Sequence, residues 1–136
     1  MGWIRIIAVI LLFGCASQKK TPEYYFGLAK HHKAEGDLIV AGRFLTKAIE
    51  KNPSYIDAYM ERAGIWLSQD SFERAIQDYT KIIELRPARN NADIYYTRGN
   101  AYYSSLQDTL ACRDFRRACD LNYTRACDAI RKYCKK

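Results

Sequence analysis

Four cysteines near the end of this 136-residue chain, Cys112, Cys119, Cys127 and Cys134, have a spacing suited to covalent chemistry. They form two pairs with a seven-residue step. Seven residues on a helix return to nearly the same face about 10.5 Å further along. Between the pairs, Leu121-Asn122-Tyr123-Thr124 reads as a turn, with Asn to leave one helix and Thr to cap the next. Facing residues of an antiparallel hairpin have a constant index sum. Cys119 with Cys127 and Cys112 with Cys134 share one such sum, centred on Tyr123. Bonds within each helix would span about 10.5 Å, beyond the roughly 4.4–6.8 Å between the Cα atoms of a disulfide. Crossed pairing breaks the symmetry. Disulfides Cys119–Cys127 and Cys112–Cys134 are therefore expected, each adding on the order of 2–4 kcal/mol. Two rivals stay open: a four-cysteine zinc site, whose ligand pairs usually stand about two to four residues apart, and pairs of buried free thiols.

Other reactive types are sparse. Arg62 and Asp78 recur as Arg98 and Asp114 at the same offset, which in a helix hairpin can bring guanidinium to carboxylate. A packing ion pair suits them better than catalysis. His31 and His32 are adjacent and project about 100° apart on a helix, which does not suit a shared metal. The chain has no Gly-rich phosphate loop, no His-Glu metalloprotease helix, and no nucleophile with a base at a telling spacing. It reads as a non-enzyme without cofactor or metal. The net charge is +7, and the basic excess gathers at the end. There Arg113, Arg116, Arg117, Arg125, Arg131, Lys132, Lys135 and Lys136 face only Asp114, Asp120 and Asp128. That region is either a solvated helix face or a contact for an anionic membrane or an acidic partner.

The elements that position these residues are helices. Between Tyr55 and Pro87, apolar or small residues at Ala58, Tyr59, Ala63 and Trp66, then at Phe72, Ala75, Ile76, Tyr79 and Ile82, recur at helical spacing. The run Ser68-Gln69-Asp70-Ser71 separates the two groups. A step back of 34 residues carries the pattern onto Tyr25, Ala29, His32, Gly36, Ala41, Leu45, Ala48 and Pro53. A forward step of 36, allowing an insertion at Asn90-Asn91, reaches Tyr95, Gly99, Tyr102, Ala111, Phe115 and Ala118. One such hairpin cannot bury its own core and must stack on neighbours. The pattern resembles the tetratricopeptide repeat (TPR) family over roughly residues 22–121. It departs from that family at His32, where an aromatic is usual, at Ile82, where Ala is usual, and at Tyr123, where Pro is usual.

The resemblance implies an all-α solenoid of three helical hairpins, about 22–53, 56–87 and 92–123, closed by a capping helix at about 124–134. It also implies the intra-repeat ion pairs Arg62–Asp78 and Arg98–Asp114. In that family the concave face is lined by the first helix of each repeat. By repeat position this face would carry Phe26, Lys30, Met60, Gly64, Leu67, Tyr96, Asn100 and Tyr103, with Glu23, Lys33, Asp57 and Asp93 beside them. Exposed apolar groups with a polar rim mark a partner site. Only Asn100 resembles the two-lysine, two-asparagine carboxylate clamp of chaperone-binding TPR domains. An extended peptide or a partner helix is therefore expected.

The first residues have another character. Arg5 precedes the apolar run Ile6-Ile7-Ala8-Val9-Ile10-Leu11-Leu12-Phe13, too short to cross a bilayer but suited to a secretory signal. Leu12-Phe13-Gly14-Cys15 resembles the lipobox of bacterial lipoproteins, with Phe13 bulkier than usual. An ordinary signal cut near Ala16-Ser17 is the alternative. The resemblance implies a signal peptide over 1–14, an acylated Cys15 (a palmitate-type lipid anchor), and a tether over 15–21. Ala16 and Ser17, with no acidic run, resemble lipoproteins carried to the outer membrane, facing the periplasm. Nucleic acid is not expected as a partner of an exported chain, and an oxidising compartment permits disulfides.

Two functions follow as expectations. One is a membrane-anchored adaptor binding a peptide or helix of another cell-envelope protein. The alternative is an accessory or carrier subunit of an envelope enzyme or polymer system, touching polyanions or membrane through its basic end.

Overall fold

A computed structural model describes residues 20–134. The expected signal peptide, Cys15 and most of the expected tether lie outside the described residues, as do Lys135 and Lys136. Seven α-helices follow in order: α1 (Pro22–Ala34), α2 (Leu38–Lys51), α3 (Ile56–Ser68), α4 (Phe72–Leu85), α5 (Ala92–Ser104), α6 (Asp108–Asp120) and α7 (Thr124–Tyr133). No strand occurs among the described residues. Each helix packs on the next, so the chain is a succession of hairpins α1/α2, α3/α4 and α5/α6 closed by α7. This is the helical-hairpin solenoid with a capping helix.

The starts and turns follow from local chemistry. The Thr21 hydroxyl accepts the Tyr24 N–H at 3.2 Å, and Pro22 opens α1, where its missing N–H loses nothing. The Asp37 carboxylate accepts the Val40 N–H at 3.1 Å and starts α2. Each hairpin turns on one residue in the left-handed region: Gly36 (φ 83°), Asp70 (53°) and Leu106 (62°). Asn122 (67°) does the same between α6 and α7. Gly, Asp and Asn accept this conformation readily; Leu106 does so at a cost.

A small residue in the first helix of each hairpin lies opposite a large one in the second. These positions are Ala29 and Leu45, Ala63 and Tyr79, then Gly99 and Phe115, and all six are buried. At Gly99 the approach is closest. A Cβ there would meet Cε1 of the Phe115 ring at 2.7 Å, so only glycine admits that ring as it stands.

The two inserted residues acquire a role. Ala88–Asn90 forms a single 3-10 turn, and Asn91 is fully buried with its Nδ2 donating to the Ile83 carbonyl at 3.2 Å. The insertion thus ties the start of α5 to the end of α4.

Candidate functional site

A ladder of buried and half-buried polar side chains occurs at two successive hairpin junctions. Arg62 donates from Nε and Nη2 to the Asp78 carboxylate at 2.9 and 2.7 Å, and from Nη1 to the Thr46 hydroxyl at 3.0 Å. Arg98 repeats this with Asp114 at 2.7 and 2.9 Å and with Thr80 at 2.9 Å. Each threonine hydroxyl in turn donates to the carbonyl four residues earlier, Gly42 or Ile76. The guanidiniums lie over tyrosine rings, Arg62 on Tyr59, and Arg98 on Tyr95 and Tyr102. Burial opposes the charge of Arg98, but its hydrogen bonds to Asp114 and that carboxylate's charge leave its pKa raised. The geometry is that of a structural clamp: each guanidinium nitrogen donates to a fixed acceptor.

Each arginine joins its own hairpin to the preceding one. Thr46 and Thr80 are not among the residues that the apolar and charged pattern of the sequence marks. Their 34-residue separation, equal to the repeat step, was the available signal. In the first hairpin, Leu28 and Phe44 stand at the positions of the arginine and aspartate. There His32 stacks on Phe44 at 5.4 Å and Tyr25 stacks on it at 6.3 Å. His32 thus serves as the aromatic its position calls for.

The cysteines are brought together in pairs. Cys112 is bonded to Cys134 and Cys119 to Cys127, with Cα atoms 5.6 and 5.0 Å apart. With the sulfurs so bonded there is no four-thiolate metal cage. Among the described residues no group of three or more His, Cys, Asp or Glu is placed to hold a metal ion.

The residues of the expected partner face lie on α1, α3 and α5, but they are less open than the sequence suggests. Phe26, Met60, Leu67 and Tyr96 are half-buried, and of the large apolar side chains in this set only Tyr103 is exposed. Neighbouring helices account for this. Phe26 packs on Tyr55 at 5.1 Å, and Met60 and Leu67 lean on the core of the first two hairpins. Tyr96 lies 5.1 Å from Tyr123, and Tyr103 lies 4.5 Å from Tyr133 of α7. The cap therefore lends aromatic surface to this face.

Gly64 is exposed, and a Cβ there would meet nothing within 4 Å. Lys30 is exposed and Asn100 half-buried. The rim is polar: Lys33 Nζ donates to Glu61 at 2.6 Å across α1 and α3. Burial first, then the charges of Glu23 and Asp57, push the Tyr55 phenol up.

Two further depressions lie elsewhere. One, about 710 Å³, is lined by Ile39, Phe44 and Lys47 of α2 with Trp66 and Arg74. Another, about 420 Å³, lies over α5 and α6.

Stacked helical hairpins with small-against-large packing and a final cap define a repeat solenoid. Residues 56–89 match the tetratricopeptide repeat. Over 78 residues the chain is 35% identical to the UDP-N-acetylglucosamine–peptide N-acetylglucosaminyltransferase of Giardia intestinalis. That match takes in 55% of this chain and spans only 5% of the relative's length. Among solved structures, the N-terminal domain of stress-induced protein-1 from C. elegans is similar at a TM-score of 0.76. It is 21% identical, with 84% of this chain and 94% of that one covered. The first TPR domain of Spaghetti (RPAP3), bound to the HSP90 peptide SRMEEVD, is similar at a TM-score of 0.71. It is also 21% identical, with 84% and 90% covered. The likeness to these structures is one of fold.

Proposed function

We propose that this chain is a non-catalytic, membrane-anchored adaptor that holds a peptide or helix of another cell-envelope protein on the face formed by α1, α3 and α5. The supporting observation is the open backbone at Gly64, flanked by the apolar edges of Met60 and Leu67 and rimmed by Lys33 and Glu61. Such a strip offers apolar contact with room for a side chain of the partner to enter. The solved RPAP3 domain carries a peptide in the same fold, which favours a peptide over a folded surface. The glycosyltransferase resemblance is confined to a small part of that enzyme and lends no activity to this chain.

Affinity capture from detergent-solubilised membranes tests the reading. Wild type is expected to retain a stoichiometric protein, and Gly64→Arg to lose it with the melting temperature nearly unchanged. Retention of the same protein by Gly64→Arg would place the partner elsewhere. Anchoring rests on the lipobox resemblance at Cys15. Cys15→Ser is expected to abolish incorporation of labelled fatty acid and release the chain from membranes. Equal labelling of both forms would remove the anchor from this account.

A further inference from the structure

The depression of about 420 Å³ over α5 and α6 is lined by Tyr95, Arg113, Arg116, Arg117 and Asp120, above the Arg98–Asp114 pair. Arg113, Arg116 and Arg117 fall at i, i+3 and i+4, so they share one face of α6. All three are exposed. Among the described residues, none of them has a carboxylate within 4 Å. Arg98 below is already neutralised by Asp114 in a two-pronged pair. Three like charges on adjacent turns repel one another unless something anionic sits between them.

The repeat shows that this concentration of charge is local. At the same three positions the first hairpin has Arg43, Thr46 and Lys47, and the second has Gln77, Thr80 and Lys81. Thr46 and Thr80 are occupied with the arginine of the hairpin that follows. The third hairpin has Arg116 there and is followed by the cap, so a rung of the ladder is replaced by a free guanidinium fork. Planar forks match the oxygens of phosphate in a way that ammonium groups do not.

We infer that this cleft is an anion site for a single phosphoryl group, carried either by a lipid headgroup or by a small soluble phosphate ester. Among the described residues, Asp120 at its edge has no cation within 4 Å; its charge opposes an anion that extends past the arginines, which favours a discrete phosphate over a charged polymer. The Tyr95 phenol supplies a neutral donor and a flat wall. The site lies apart from the partner face and narrows the basic end of the sequence to one place.

The test uses the purified full chain carrying Cys15→Ser, so that no acyl group binds the vesicles, at matched ionic strength. Its probes are inorganic phosphate, followed by titration calorimetry, and phosphatidylglycerol-containing vesicles, followed by co-sedimentation against a phosphatidylcholine baseline. This parent chain is expected to bind at least one probe. The triple variant Arg113→Gln/Arg116→Gln/Arg117→Gln is expected to bind at least tenfold more weakly. Removing the same number of charges from α7, as Arg125→Gln/Arg131→Gln/Lys132→Gln, is expected to change binding less than twofold. Binding of inorganic phosphate identifies a small soluble phosphate; a response to anionic vesicles alone identifies a headgroup. If the triple variant melts early, Arg116→Gln carries the test with at least a threefold loss. No binding of either probe by the parent chain, or equal loss in the α6 and α7 variants, overturns the inference.

Discussion

Gly64 and Gly99 occupy the middle of α3 and α5, and their surroundings make opposite demands. Gly64 has open space where a Cβ would stand, whereas at Gly99 that atom would press into the Phe115 ring. Gly64→Ala should therefore stabilise by about 0.5–1 kcal/mol through helix propensity alone. Gly99→Ala should destabilise by about 1–3 kcal/mol through overpacking. Urea unfolding midpoints at constant m-value check both signs. A second residue-scale outcome concerns the ladder. Arg98→Met strands the buried Asp114 carboxylate and should cost about 3–5 kcal/mol. Adding Asp114→Leu should recover much of that loss, and a double variant no better than the single would contradict a desolvated pair. These charged partners were legible because arginine and aspartate recur conspicuously at one offset. Thr46 and Thr80 were not, because a threonine on a helix announces no partner until its neighbour's arginine is in place.

Helices were the most legible elements, since their apolar periods are long and their ends carry Thr21, Asp37 and Asn122. The state of the partner face was harder to read. Whether Tyr96 and Tyr103 are open depends on Tyr123 and Tyr133, which belong to α7 and follow no repeat rule. The cap itself is short, and its attachment rests on the two disulfides. Cys112–Cys134 closes a separation of 22 residues and Cys119–Cys127 one of 8. By loop entropy, the longer bridge should contribute about 0.9 kcal/mol more than the shorter. Replacing Cys112 and Cys134 by Ala should lower the melting temperature more than replacing Cys119 and Cys127. The reverse order would show that local strain, not loop closure, governs the cap.

Over the whole molecule, stability should fall at alkaline pH. Burial first, and then the charge of Asp78, push the Tyr79 phenol up from 10.0 to about 12. Its folded pKa exceeds its unfolded one, so its contribution is complete below pH 10 and is lost as pH rises through about 12. The loss should be on the order of 2 kcal/mol for this group. Tyr79→Phe should flatten that part of the stability profile relative to wild type, and parallel profiles would remove Tyr79 as the cause.

The ladder also has a grammar of succession. Only the middle hairpin offers both a plug, Arg62, that fits the hairpin before it and a socket, Thr80, that receives the hairpin after it. The first hairpin has a socket without a plug, and the third has a plug but puts Arg116 where the socket would be. Tandem duplication of the middle unit would therefore lengthen the chain with every junction already matched, whereas copying either end would create a mismatched seam. The ladder can be extended from its interior unit, and neither end unit matches a copy of itself.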